Sequence, residues 1–371
     1  MSIKVIISGG GTGGHIFPAV SIANALKRID PAIEVLFVGA NGRMEMEKVP
    51  AAGYKIIGLD IQGFQRKALW KNILLPLKIL KSLWKARSVI KSFRPDVVVG
   101  VGGYASGPLL YAAGQMNVPY LIQEQNSYAG VTNKKLGAKA QKICVAFEGM
   151  DKFFPADKLM LTGNPIRRES VSIAGKREQG LASFGLSATK KTMLVIGGSL
   201  GAGTLNKSML AGLDKLISAD VQLIWQTGKY YYTSIMEQVG EKIHSSIRIT
   251  EFLNSMDLAY AAADVIVSRA GAGTIAELCV IGKPVIMVPS PNVAEDHQTK
   301  NAAALVKNNA AILIADMNAE RGLVDAALSL LENDQKLIDL GNNISRMALP
   351  DADEIIAKEV LKIAGKEKGL R

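Results

Sequence analysis

Four glycine-rich segments, each following an apolar run, carry most of the readable chemistry. The first, Gly9–His15, reads GGGTGGH, so Gly9, Gly11 and Gly14 satisfy GxGxxG. Glycines let the backbone approach an anion, and a helix start beyond them adds unpaired N–H donors and the positive end of a dipole. A dinucleotide enzyme would set an Asp or Glu at the end of its second strand to hold a ribose. Here that strand ends Val38-Gly39-Ala40-Asn41, and Glu34 falls too early. The other loops are Gly102–Pro108, Gly197–Ala202 and Ser268–Thr274. One such loop is a tight turn; four after strands, shared between the halves, predict a cleft that grips phosphates from both sides. His15 closes the first loop at or near a helix start, where the dipole disfavours imidazolium. A neutral His15 either hydrogen-bonds a substrate hydroxyl or merely caps and packs the helix.

These loops need parallel strands to hold them. Lys4–Ser8, Ile33–Val38, Asp96–Val101 and Pro119–Ile122 are continuously apolar, as strands covered on both faces should be. Pro18–Lys27 has a helical apolar pattern, with Pro18 suited to a first turn. The second half repeats the grammar: strand Thr192–Ile196, glycine loop, helix Leu205–Leu216, then strands Val221–Trp225, Asp264–Val267 and Pro284–Val288. Alternating strands and helices predict an α/β protein of two Rossmann-like, parallel-sheet domains facing each other. The join falls near GNPIRR at Gly163–Arg168, Ser172–Ser187 opens the second domain, and Asp351–Ala364 reads as a tail helix.

A chain of 371 residues suits two domains, and 48% hydrophobic residues give each a core. Cys144 and Cys279 form no CxxC pair and sit in apolar stretches, the mark of buried thiols in a reducing compartment. His15, His244 and His297 lack metal-ligand spacing, so no structural zinc is expected. The start, Met1–Ser8, has no basic region ahead of an apolar core, so no signal peptide is expected. No run of about 18 uncharged apolar residues predicts a membrane span.

The net charge of +11 suits RNA, anionic lipid or a phosphorylated substrate. Between Asp60 and Asp96 there is no acidic residue, while basic residues from Arg66 to Arg94 alternate with Trp70, Leu74, Leu77, Leu80, Trp84 and other apolar residues. Part of this stretch reads as an amphipathic helix, broken or kinked near Pro76. Either its apolar face joins the core, or it forms a membrane-surface patch, with Trp and Leu in the headgroup region and lysines toward anionic lipid. Each basic residue near such a surface adds on the order of 1 kcal/mol. Leucine outweighs stacking aromatics, which favours lipid over nucleic acid.

Seven motifs then occur in order: GGGTGGHIFPA at Gly9–Ala19, GGYASGP at Gly102–Pro108, EQN at Glu124–Asn126, GNPIR at Gly163–Arg167, GGSLGA at Gly197–Ala202, SRAGAGTIAE at Ser268–Glu277 and DHQTKNA at Asp296–Ala302. The set resembles the UDP-N-acetylglucosamine:undecaprenyl-pyrophosphoryl-muramyl-pentapeptide N-acetylglucosaminyltransferase family of peptidoglycan synthesis, over nearly the whole chain. The resemblance implies GT-B architecture: an N-terminal acceptor and membrane-associated domain (residues 1–163), a C-terminal UDP-sugar domain (164–350), a deep cleft between them, and a tail (351–371) packing back on the first. It puts Thr12, Gly13 and Gly14 near the donor sugar and diphosphate, and Asn126 and Gln298 on the donor sugar. It puts Arg167 and Ser199 near the diphosphate and Leu253 on uracil through its backbone. Ala272, Gly273, Thr274, Ile275, Ala276 and Glu277 lie over the diphosphate and ribose, with Glu277 accepting from the ribose hydroxyls. The loop of Gly103, Tyr104 and Ser106 goes to the acceptor. Read without the family, Glu277 is a helix-start carboxylate facing the dipole, and Arg269 a structural ion pair. Gln123 departs from the His found in some members, which makes it an unlikely base and leaves Glu124 untouched.

The implied reaction inverts the anomeric carbon to give a β-1,4 link, with His15 the first choice of base and Glu124 the second. Arg167, loop N–H groups and a helix end take the place of a cation, so neither metal nor cofactor is expected. The implied partners are UDP-N-acetylglucosamine, a lipid-linked muramyl-pentapeptide, an anionic membrane surface and cell-wall synthesis proteins, with no nucleic acid. The implied place is the cytoplasmic face of the inner membrane. Two other readings share the fold: a UDP-N-acetylglucosamine 2-epimerase, which leaves Arg66–Arg94 unexplained, and a membrane-docked nucleotide-sugar binder without catalysis.

Overall fold

The computed structural model describes residues 2–63, 75–198, 200–240, 244–293 and 296–365. The chain divides into two units: Met1–Ile166 with Leu349–Arg371, and Arg167–Ala348.

In the first unit seven strands form one parallel sheet: β1 Lys4–Gly9, β2 Glu34–Ala40, β3 Lys55–Leu59, β4 Val97–Gly102, β5 Tyr120–Glu124, β6 Lys142–Val145 and β7 Leu159–Leu161. Their order is β3-β2-β1-β4-β5-β6-β7. The crossover helices are α1 Gly13–Ile29, α2 Glu45–Ala51, α3 Leu75–Phe93, α4 Ser106–Gln115 and α5 Val131–Gly137. Side chains alternate across a strand. Thus Val5 and Ile7 of β1 join one core with Ile16, Ile22 and Leu26 of α1, while Ile6 joins a second core with Ile90 of α3 and Leu109 of α4. The strands are continuously apolar because both faces are covered.

In the second unit the helices are α6 Arg168–Val171, α7 Arg177–Ser183, α8 Gly203–Ser218, α9 Tyr232–Val239, α10 Met256–Ala262, α11 Ala272–Ile281, α12 His297–Lys307, α13 Asp316–Leu331 and α14 Asp334–Ser345. The strands are β8 Thr192–Ile196, β9 Gln222–Gln226, β10 Ile247–Thr250, β11 Val265–Ser268, β12 Val285–Met287 and β13 Ile312–Leu313. They form a second parallel sheet in the order β10-β9-β8-β11-β12-β13. Met193 and Val195 of β8 pack with Met209 and Leu213 of α8 and Leu323 and Ala327 of α13.

The tail helix α15, Ala352–Ile363, belongs to the first unit. Ile356, Ala357, Val360 and Leu361 enter the core that holds α1. Asp353, nearly buried, pairs with Arg28 at 2.5 Å, where the basic last turn of α1 meets an acidic first turn.

The helix after the first glycine loop opens at Gly13, earlier than the apolar pattern from Pro18 predicts. Pro18 is tolerated inside it, giving up the bond its missing N–H would make to the carbonyl four residues back. The shift puts His15 in the first turn.

Both cysteines are buried and free. Burial pushes the Cys144 and Cys279 thiols up to about 12. A thiol reagent that needs thiolate should therefore label neither in the folded protein at neutral pH, and both after unfolding in guanidinium. Rapid labelling of the native chain contradicts this packing.

Candidate functional site

Both sheets reverse their strand order beside the first strand of each unit, between β1 and β4 and between β8 and β11. Ligands of parallel α/β sheets bind beyond the strand ends at such a switch point. All four glycine loops lie there, two in each unit.

In the first unit the β1 and β4 loops are in backbone contact: the Gly10 N–H donates to Gly102 O at 3.3 Å. Gly102 has φ +110 and Gly103 φ +90, a region that side chains disfavour. A β-carbon on Gly103 would sit 2.4 Å from Gly10 O, so no side chain fits. Gly102 leaves room for His15, since a β-carbon there would lie 2.6 Å from its Cδ2 and 2.8 Å from its Nε2. His15 Nδ1 lies 3.0 Å from Gly10 O and 3.3 Å from Thr12 Oγ1. A carbonyl oxygen only accepts, so Nδ1 carries the proton and the neutral ring's lone pair is on Nε2. Thr12 precedes α1 in extended conformation, and Gly13 and Gly14 head the helix, where amides have no intrahelical acceptor.

Of the β4 loop, Tyr104 is 46% exposed. Its ring fills the space a β-carbon on Gly63 would need, and the Arg43 guanidinium lies 5.8 Å from its centroid. Ser106 begins α4. It is 1% exposed, packs against Gly100, and its hydroxyl has no hydrogen-bond partner among the described residues. The first residue of α4 thus turns its side chain toward the sheet.

Glu124 ends β5 and is also buried. Its Oε1 accepts from Asn126 N at 3.1 Å and Asn126 Nδ2 at 3.5 Å; its Oε2 accepts from Gly130 N at 3.0 Å and Asn133 Nδ2 at 2.9 Å. Four donors on one carboxylate make it the anchor of the loop that carries Asn126, and rank it behind His15 as a base. Gln123 beside it is held in a buried amide network, donating to Asn164 Oδ1 at 2.9 Å.

Reading the sequence missed Glu45. It begins α2 and is 1% exposed. Its Oε2 accepts from Gly11 N at 2.8 Å and its Oε1 from Ala40 N at 3.0 Å. A carboxylate thus lies just beyond β2, but it serves loop amides and not a ribose. The only sequence signal was an acid in a first turn, which usually faces solvent.

In the second unit, Gly201 presses on the Thr227 carbonyl and α8 follows; Ser199 lies outside the described residues. Arg269, after β11, donates to Val288 O at 2.9 Å and Pro289 O at 3.2 Å and pairs with Asp316. It is the structural ion pair, tying the loop to α13. The next residues open α11 after Gly271. A β-carbon on Gly273 would meet nothing within 4 Å, so there is room above this helix start. The Ile275 side chain is buried and its N–H donates to Gly271 O at 2.9 Å. Ala272, Gly273 and Thr274 precede it in the first turn, and Ala276 follows it, half-buried.

Glu277 comes a turn later and meets Arg167, Nη2 to Oε1 3.6 Å, and Tyr260, whose hydroxyl donates to Oε2 at 3.3 Å. Burial raises its pKa above the usual carboxylate range, against the opposing pull of Arg167 and Tyr260. Gln298, in the first turn of α12, accepts from Ser290 N at 2.8 Å. Leu253 has a buried side chain, so only its backbone could meet a base. Among the described residues, no group of three or more His, Cys, Asp or Glu side chains could hold a metal ion.

Two Rossmann-like units, each with paired glycine loops at its switch point, have the GT-B fold of nucleotide-sugar transferases. The chain belongs to glycosyltransferase family 28: residues 5–145 match the family's N-terminal domain and residues 192–356 its C-terminal domain. It is 58% identical over 367 residues to the UDP-N-acetylglucosamine–N-acetylmuramyl-(pentapeptide) pyrophosphoryl-undecaprenol N-acetylglucosamine transferase of Bacteroides fragilis, covering 98% of this chain and 96% of the relative. The enzyme of the same name from Bacteroides thetaiotaomicron is 58% identical over 369 residues, 98% of this chain and 99% of the relative. The crystal structure of Acinetobacter baumannii MurG is similar, with TM-score 0.80 and 28% identity over 97% of this chain and 99% of that one.

Proposed function

We propose that the chain transfers N-acetylglucosamine from UDP-N-acetylglucosamine to the C4 hydroxyl of undecaprenyl-pyrophosphoryl-N-acetylmuramyl-pentapeptide, with UDP leaving. The observation that carries this is full-length identity of 58% to relatives named for that transfer. In the inverting step the acceptor oxygen attacks C1, its proton passes to His15 Nε2, and the C1–O bond to the diphosphate breaks with its electron pair going to UDP. Arg167, Ser199 and the amides of Ala272, Gly273 and Thr274 take up the charge that develops on the diphosphate. Glu277 receives the ribose hydroxyls, Leu253 the uracil, and Gln298 and Asn126 the sugar. Thr12, Gly13 and Gly14 serve the donor sugar and diphosphate, and Tyr104 with the Gly103 turn the acceptor. Formation of the disaccharide-lipid from radiolabelled donor and lipid acceptor tests the reading. Formation of UDP-N-acetylmannosamine, or of free N-acetylmannosamine and UDP with water consumed, without acceptor, the mark of a 2-epimerase, or donor binding with no product, overturns it.

The enzyme is proposed to work at the cytoplasmic face of an anionic membrane. On α3 the side chains of Leu77 (56%), Leu80 (60%) and Trp84 (80%) are exposed along one helix face, with exposed Lys81, Lys85 and Arg87 beside them. Ala86, Val89 and Ile90 on the opposite face supply the core contact. Trp70 and Leu74 lie outside the described residues. No helix among the described residues is long and apolar enough to cross a membrane. Leu80→Ser with Trp84→Ala should weaken flotation with anionic vesicles by about tenfold or more while leaving donor binding intact. Unchanged flotation removes α3 from the membrane contact.

A further inference from the structure

We infer that Glu45 is a positioning residue that acts on His15 through a single peptide group; this rests on His15 being the base. The peptide joining Gly10 to Gly11 is held at both ends. Its N–H donates to Glu45 Oε2 at 2.8 Å, and its C=O accepts from His15 Nδ1 at 3.0 Å. A buried negative charge on the N–H side polarises the peptide and makes its carbonyl a stronger acceptor. The stronger acceptor holds the Nδ1–H tautomer, orients the ring, and raises the basicity of Nε2. The arrangement does for His15 what a directly bonded carboxylate does for the histidine of a hydrolase triad, with a peptide inserted between them.

The structure is built to keep this connection. Both Glu45 oxygens accept from a backbone N–H, so neither is left to turn toward solvent. Any side chain on Gly10 or Gly39 would collide with Glu45, the nearest approaches of a β-carbon being 2.2 and 2.6 Å. Among the described residues, the Tyr104 ring, after β4, lies within 4 Å of a β-carbon built on Gly11, and the Arg43 guanidinium, ahead of α2, lies over that ring. On α15, which packs on α1, the buried Asp353 pairs with Arg28 at the far end of α1.

The chain has three histidines, so the His15 imidazole can be assigned in NMR spectra by comparison with His15→Gln. Neutral wild-type His15 should show the Nδ1–H tautomer; an Nε2–H tautomer overturns the relay without any variant. In Glu45→Gln the His15 pKa should fall by on the order of one pH unit, because the negative charge on the far side of the shared peptide group is lost. The acid limb of kcat/KM should move to lower pH by the same amount. kcat should fall roughly 10–100-fold, with the donor KM within about threefold. Glu45→Asp, which keeps the charge, should leave the titration closer to wild type. A loss of kcat in Glu45→Gln with an unmoved His15 titration and acid limb makes Glu45 merely structural and overturns the inference. The NMR titration needs no substrate, so it stands apart from the base reading, which fails on its own if His15→Gln turns over at the wild-type rate.

Discussion

His15→Ala should lower kcat by about 10²–10⁴-fold, the range a positioned general base contributes. The donor KM should change by less than about threefold, because the imidazole serves the acceptor's proton and not the nucleotide. The acid limb of the pH profile, which reports a base that must be deprotonated, should disappear with the side chain. The geometry supports so specific a loss. Gly10 O takes the Nδ1 proton, which leaves the lone pair on Nε2, and the ring is seated against Gly102, where a β-carbon would lie 2.8 Å from that nitrogen. Glu124, the other candidate, already receives four hydrogen bonds from its own loop and α5. Equal turnover of the purified variant on the lipid acceptor would remove His15 from the reaction.

The parallel strands that carry the glycine loops are readable because they are buried on both faces and therefore continuously apolar. β1, β4, β8 and β11 stand out for that reason, and so do the loops at their ends. Edge elements are less legible. β3 begins with the exposed Lys55, and β13 has only two residues, so neither shows a run long enough to separate from loop. The site divides in the same way. His15 and the glycines are local features of a strand-loop-helix unit. Ser106 shares its segment but turns inward, because which face a helix start presents is fixed by packing on Gly100 and not by its own motif. Glu45 is invisible for the converse reason. Nothing local separates an acid that folds under a loop from one that faces water. Arg167 and Glu277 are far apart in the chain, and only the packing of α6, α10 and α11 brings them to 3.6 Å.

Glu277→Gln should raise the KM for UDP-N-acetylglucosamine by about 10–100-fold, the worth of hydrogen bonds between a charged acceptor and two ribose hydroxyls, while the fold loses no stability. The two effects have opposite signs for one reason. Burial raises the Glu277 pKa in the folded chain above its unfolded value, despite Arg167 and Tyr260. Between those two pKa values the folded state binds more protons than the unfolded state, so stability falls as pH rises through that window. At neutral pH the ionised side chain is therefore a net cost to folding, and glutamine relieves it. The variant's melting temperature at pH 7 should equal or exceed that of wild type, and the difference should shrink as pH is lowered below the ordinary glutamate range. The same protonation should raise the wild-type donor KM on the acid side sooner than an unperturbed glutamate would. A buried charge that destabilises its own unit is retained where a ligand uses it. A Glu277→Gln protein that melts well below wild type at pH 7, with an unchanged donor KM, would make this carboxylate a structural partner of Arg167 instead.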